Sequence, residues 1–218
     1  MLSALISRYA EPVDYAELAV AVPALSPFLR PGRDKRATID FRDDAAVRAL
    51  NQALLLRDFS IKLELPADRL CPTVPSRHAY TQFVIRLALL TCPDIATPTT
   101  LPPLVGLDMN VLSNGLAETI SVMQVDARGA IFSPEVVTSV NFIDFTMCNP
   151  PFYGSQDEID ASLAGKQLEP FAVCTGADNE MVTDGGEVVF VSRMVKESVE
   201  LGKAKIRFVS ALDYVVPY

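Results

Sequence analysis

The apolar stretch Phe142-Ile143-Asp144-Phe145-Thr146-Met147-Cys148 runs directly into Asn149-Pro150-Pro151-Phe152, and this junction constrains the fold more than any other part of the chain. Apolar residues interleaved with Asp and Thr suit a half-buried strand. Two consecutive prolines then end it, because each fixes φ, removes a backbone donor and bars the residue before it from helix. The chain must therefore leave its ladder at Asn149 and present that side chain at the end of a strand. On these four residues alone, a strand closed by a proline turn is the simpler reading; the rest of the chain decides otherwise.

Residues 1–37 hold short apolar clusters between prolines and read as an arm with a helical turn near 15–22. Asp43 or Asp44 caps a helix in which Val47, Leu50, Leu54 and Leu55 recur at helical spacing, ended by Arg57-Asp58. Residues 61–65 alternate like a short strand. Cys71-Pro72-Thr73-Val74-Pro75-Ser76-Arg77 reads as an ordered, proline-stiffened loop before a helix carrying Tyr80, Phe83, Val84, Leu87 and Leu90. Residues 91–106 have no periodicity and four prolines, and read as linker. Beyond them come a short helix ending near Asn114-Gly115, a strand over 120–125, the strand through Phe145 and a polar excursion over 154–170. Gly185-Gly186 opens a further helix carrying Val189, Met194, Val195 and Val199, and 205–212 alternates as a last strand. Helices alternating with strands predict an α/β fold with a mostly parallel sheet.

At 218 residues, half of them hydrophobic, the chain can bury one sizeable core. No apolar run reaches membrane-spanning length, and Met1-Leu2-Ser3-Ala4-Leu5-Ile6 lacks the basic segment of a signal peptide. The expectation is a soluble intracellular protein without membrane contact. Four scattered cysteines and a single histidine, His78, argue against a metal site or a disulfide scaffold. Cys148 reads as a buried strand residue and His78 as structural or exposed. The net charge of −8 is uneven: residues 1–110 hold 12 basic and 12 acidic side chains, residues 111–218 hold 7 and 15. Nucleic-acid binding normally leaves a basic footprint, and the nearest candidate is Arg30, Arg33, Lys35 and Arg36 around Pro31-Gly32. A cluster of that size is more often a solvated loop, so the charge weakens an RNA-binding reading without removing it.

The corner has a specific chemical aptitude. The Asn149 side-chain oxygen and the following backbone carbonyl can accept both hydrogens of an exocyclic amine such as that of adenine, which frees the nitrogen lone pair to attack an electrophilic methyl group. The prolines hold these acceptors in place before substrate arrives. Phe152, with Tyr153 behind it, offers a ring on which a base can stack.

Taken in order, Ile39-Asp40-Phe41, Ala46-Val47-Arg48-Ala49-Leu50, Cys71-Pro72-Thr73-Val74-Pro75-Ser76-Arg77 and Met147-Cys148-Asn149-Pro150-Pro151-Phe152 resemble the methyltransferase-like RNA adenine-N6 methyltransferases, which act on spliceosomal small nuclear RNA in eukaryotes and large-subunit ribosomal RNA in bacteria. Thr175-Gly176 and Asp184-Gly185-Gly186-Glu187 extend the resemblance, which covers roughly residues 12–90 and 107–205. It implies a Rossmann-like, S-adenosylmethionine (SAM)-dependent methyltransferase fold with a helical N-terminal extension that helps bind RNA. By position, Asn149, Pro150, Pro151 and Phe152 would be the catalytic corner, with Phe152 and Tyr153 on the base. Arg77 and Asn149 would contact SAM, since a guanidinium fork suits the cofactor's carboxylate; a surface arginine capping a loop is the other reading of Arg77.

One part of the family pattern is missing. A strand, glycine-rich loop, helix and second strand should cradle the cofactor, and such a unit needs about 30 residues. Only the sixteen residues 91–106 stand at that place, and the sequence contains no G-x-G. The expected organisation is thus a 1–90 docking extension, a 91–106 linker in place of the cofactor loop, and a partial methyltransferase domain over 107–218. Three readings remain open: an inactive relative acting as an RNA- or protein-binding module, a shortened version of an active enzyme, or an unusual cofactor site. A small-molecule amine methyltransferase is a more distant alternative. An incomplete sheet exposes edges and apolar surface, which predicts poor stability alone or a protein partner covering the sheet. A cooperative thermal transition of purified monomer would count against that.

Overall fold

The computed structural model describes residues 9–32, 35–66, 69–71, 73–91, 108–126, 128–165 and 178–208. They fall into two compact units. Of these described residues, the first unit takes those up to 79 together with 108–117, and the second those over 80–91, 118–165 and 178–208.

The first unit is helical. Helix α1 (Tyr15–Ala21) starts where Asp14, in extended conformation, accepts the N–H groups of Ala16 and Glu17 at 2.8 and 3.1 Å. It buries Leu18 and Ala19, and the 3₁₀ helix Pro23–Phe28 that follows buries Leu25. Strands β1 (Arg30–Pro31) and β2 (Ala37–Thr38) form an antiparallel ribbon with Arg30 opposite Thr38. Asp43 caps α2 (Asp44–Phe59) through the Ala45 N–H, as its sequence predicts. The buried face of α2, Ala46, Leu50, Ala53 and Leu54, joins Leu18, Leu25, Ile39 and Val74 in one apolar cluster. Within it Asn51 is buried but satisfied: its amide donates to the Val47 carbonyl and its oxygen accepts the Val74 N–H.

Two expectations for this unit are corrected. The stretch 61–65 is extended but is no β-strand. Helix α4 (Asp108–Ser113) and the residue after it supply a side-chain substitute for a neighbouring strand. Asn114 accepts the Lys62 N–H and donates to the Lys62 carbonyl, both at 2.7 Å; Asn110 does the same for Glu64 at 2.7 and 2.9 Å. Four helical residues rise about 6 Å and two extended residues about 6.8 Å, so carboxamides four apart meet alternate strand positions. The proline-stiffened loop is also shorter than expected, because α3 (Val74–Thr91) begins inside it. Pro75 sits in the first helical turn, where a missing N–H costs little, and the Arg77 N–H bonds the Thr73 carbonyl at 3.1 Å.

The second unit holds the rest of α3, then α5 (Pro134–Ser139), β3 (Ile143–Phe145), α6 (Gln156–Gly165), α7 (Asp178–Met181), α8 (Gly186–Leu201) and β4 (Ile206–Phe208). Strands β3 and β4 pair in parallel, Ile143 opposite Ile206 and Phe145 opposite Phe208, as an α/β reading requires. Lys205 ties the base of this pair, donating to the carbonyls of Val140 and Asn141. Helix α8 anchors the preceding loop: Arg193 donates to the Gly129 carbonyl at 2.7 Å, and Glu197 accepts the Phe132 N–H at 3.0 Å. Its start needs glycine, since Gly185 has φ 79° and a Cβ there would lie 2.5 Å from a Val189 methyl carbon.

Here too the sequence misleads in places. The stretch 120–125 has one bridge position, Ile120, and no strand; four of its residues are exposed, so its alternation buries no face. The polar excursion contains the ten-residue helix α6. Phe83 lies 60% exposed, off the buried stripe of Tyr80 and Val84. The linker beyond Thr91, Thr175-Gly176 and the last strand beyond Phe208 lie outside the described residues.

Candidate functional site

The carboxyl end of β3 leads to the corner, and backbone contacts within the second unit fix the corner from three sides. Pro150 is fully buried, whereas Asn149, Pro151, Phe152 and Tyr153 are half-buried. Immediately before Asn149, the Cys148 N–H donates to the Tyr80 hydroxyl of α3 at 3.4 Å. Immediately after Phe152, the Tyr153 N–H donates to the Met181 carbonyl at 3.0 Å, and the Tyr153 carbonyl accepts the Thr183 N–H at 2.9 Å. These bonds make Tyr153 and Val182 a parallel bridge. On the third side, the Gly154 N–H donates to a Glu158 carboxylate oxygen at 2.7 Å. Gly186, buried at the start of α8, lies flat against this backbone; a Cβ there would be 3.4 Å from the Gly154 nitrogen and 3.7 Å from the Phe152 carbonyl oxygen.

The acceptors of the corner differ in access: the Asn149 carboxamide is half-buried, whereas Pro150 is fully buried. Neither Asn149 nor Pro150 hydrogen-bonds to any of the described residues. Phe152 and Tyr153 stand edge to face, 6.5 Å between centroids at 71°. A half-buried carboxamide, a neighbouring carbonyl and an adjacent ring can together receive a planar base bearing an exocyclic amine. Cys148, three residues beyond the strand, is half-buried and outside any disulfide.

The structure thus brings Asn149, Pro150, Pro151, Phe152 and Tyr153 into one corner. Arg77 belongs to the other unit, half-buried in the first turn of α3. His78 beside it is structural: the Tyr9 ring meets it edge-on at 5.2 Å and Phe59 lies at 6.0 Å. Sequence reasoning missed three supports of the corner. Tyr80 passes for an ordinary core residue. Gly186 passes for a helix start. Glu158 was legible, because Ser155-Gln156-Asp157-Glu158 is a capping-box pattern.

The fit to SAM is incomplete among the described residues. Arg77 has the chemistry for a carboxylate, but of the glycine pair at 185–186, Gly186 packs on the corner's own backbone and Gly185 faces the Val189 side chain. No group of residues that could hold a metal ion occurs among the described residues, and no helix among them is long and apolar enough to cross a membrane.

A parallel strand pair followed by this proline corner fits the Rossmann-like methyltransferase class of α/β protein to which the solved relatives below belong. The chain belongs to the RNA methyltransferase family, whose model matches residues 4–111 and 103–214. It is 32% identical to RNA N(6)-adenosine-methyltransferase mettl16 of Danio rerio, over 94% of this chain and 50% of that protein. It is 30% identical to ribosomal RNA large subunit methyltransferase F of Serratia proteamaculans, over 95% of this chain and 74% of that protein. Among solved structures, the human METTL16 catalytic domain in complex with MAT2A 3′UTR hairpin 1 superposes with a TM-score of 0.76 at 30% identity, covering 93% of this chain and 78% of that one. The N-terminal domain of human METTL16 in complex with SAH gives 0.67 at 26% identity, covering 93% and 79%. The chain spans about half the length of the vertebrate relatives it matches. The Danio rerio alignment runs over 235 positions, more than the 218 residues of this chain, so that relative carries residues this chain lacks.

Proposed function

We propose that this chain is a SAM-dependent RNA adenine-N6 methyltransferase, of the small nuclear RNA or ribosomal RNA type, with its target adenine held at Asn149–Phe152. The observation that carries this reading is the open Asn149 carboxamide on a rigid corner, in a chain belonging to the RNA methyltransferase family. The target base leaves its stem or loop and stacks on Phe152, beside Tyr153. Its two amine hydrogens go to the Asn149 oxygen and the Pro150 carbonyl, so the lone pair points away from them. SAM supplies the methyl group. Residues 1–90 serve as the RNA-docking extension, 91–106 as the linker and 107–218 as the partial methyltransferase domain. Contacts of Arg77 and Asn149 with the cofactor belong to the same reading, as does a place in the nucleus or cytoplasm, where RNA targets occur.

The second reading is a non-catalytic relative that binds RNA or a protein. Two observations favour it: the aligned relative carries additional residues, and the sequence has no G-x-G. The apolar residues Val188, Val195 and Val199, exposed on α8, suit a protein partner.

Calorimetric titration of SAM into the purified chain separates the two. Micromolar binding, with methyl transfer to a structured RNA that Asn149→Ala abolishes while sparing most RNA affinity, is the expected result. An unchanged methylation rate in Asn149→Ala sinks the role of the corner, and absence of SAM binding leaves the second reading.

A further inference from the structure

We propose that Glu158 is a positioning residue for base recognition, acting on Phe152 and Tyr153 through the backbone of Gly154. The inference rests on the reading of the corner as an adenine seat. Ser155-Gln156-Asp157-Glu158 opens α6, and the Ser155 hydroxyl accepts the Glu158 N–H at 3.3 Å. In an ordinary capping box the glutamate returns to the N–H of the capping serine itself. Here it reaches one residue further, to the Gly154 N–H at 2.7 Å. Its carboxylate therefore acts on the corner, and the helix keeps its serine cap independently.

The geometry around Gly154 is tight. A Cβ there would lie 3.3 Å from the Glu158 oxygen and 3.5 Å from the Gly186 nitrogen. Tyr153 is held on both its N–H and its carbonyl by the bridge to Met181 and Thr183. With Gly154 held as well, the peptide planes on both sides of Tyr153 are fixed, and the edge-to-face pair of rings keeps its angle. Glu158 is otherwise exposed, so core packing does not explain it. A charge-assisted bond at an exposed site whose partner is the backbone behind an aromatic platform is a preorganising device.

The test uses the full chain and a single-stranded oligoribonucleotide in which 2-aminopurine replaces one adenine, with fluorescence quenching as the report of stacking. Glu158→Asp keeps the charge at the helix start but is one methylene too short to reach Gly154. It is expected to lose the quenching and weaken binding about fivefold, the effect of one lost hydrogen bond. Glu158→Gln keeps an accepting oxygen and is expected to restore both. Ser155→Ala removes the helix cap and leaves the carboxylate bond; it should lower the thermal midpoint and retain the quenching. Wild-type quenching in Glu158→Asp, or equal loss in Ser155→Ala, overturns the proposal. Phe152→Ala separates the levels. If it binds and quenches like wild type, the adenine seat itself is wrong and the inference falls with it. If it loses quenching while Glu158→Asp keeps it, only the role of Glu158 fails.

Discussion

The two units of the chain solve the folding problem differently. The first closes around buried aliphatic side chains, with Leu18 and Leu25 at 0% exposure, and caps its helices with Asp14 and Asp43. The second buries Met194, Ile206 and Val84 but leaves Val188 76% and Val199 73% exposed on its longest helix. Its order comes from polar ties between neighbouring backbone segments: Lys205 under the strand pair, Arg193 and Glu197 to the 129–132 loop, and the Tyr153 bridge. The candidate corner lies in this second unit. A core fixed by apolar burial tolerates little change, whereas a region held by directional bonds can keep its acceptors near solvent and still be rigid.

The largest test of this contrast is Leu54→Ala in the first unit. Leu54 is 2% exposed within the apolar cluster, and its loss should cost about 3 kcal/mol, read as a shift in the urea midpoint. A comparable loss in Met194→Ala would break the contrast, because it would reveal an equally dense core in the second unit. Next in size is Asn51→Ala. It leaves the Val74 N–H without the Asn51 oxygen inside the apolar cluster, at a cost of about 2 kcal/mol. A midpoint unchanged in this variant would show that α3 does not need Asn51 to start.

What the sequence disclosed follows the same division. Helix α2 was legible from Asp43 and the spacing of Leu50 and Leu54, because local capping and one-sided burial agree there. The strand through Phe145, the glycine start of α8 and the corner were legible for a similar reason: prolines and glycines act through their own backbones. Helix α6 escaped because its polar turn Gln156-Asp157-Glu158 hides the helical period, although Ser155 and Glu158 carried the cap signal. The alternation over 61–65 was real, but its partners are carboxamides of Asn110 and Asn114, more than forty positions away, which no local pattern records. The sequence around Arg77 does not tell loop from helix, because a proline such as Pro75 looks the same before a helix as inside its first turn.

The smallest expected effect is one of pH, at the ribbon of the first unit. The Arg42 backbone N–H, bonded to Asp40, holds that carboxyl below its ordinary value, and the Arg30 guanidinium 2.7 Å away adds to this. The folded-state value is depressed, so ionised Asp40 contributes stability above the ordinary carboxylate range, and the contribution is lost as pH falls through the folded-state value. Asp40 is half-exposed and Arg30 mostly exposed, so solvent screens the pair and the contribution is small. The thermal midpoints of wild type and Asp40→Asn should therefore differ slightly at pH 7 and converge once the pH has fallen below the folded-state value of Asp40. Raising salt should narrow the gap at pH 7 only in part, since the Arg30 attraction is screened while the backbone bond from Arg42 is short-ranged. If salt removed the whole difference, the ribbon would be held by charge alone, and the first unit would owe less to local backbone capping than its helices suggest.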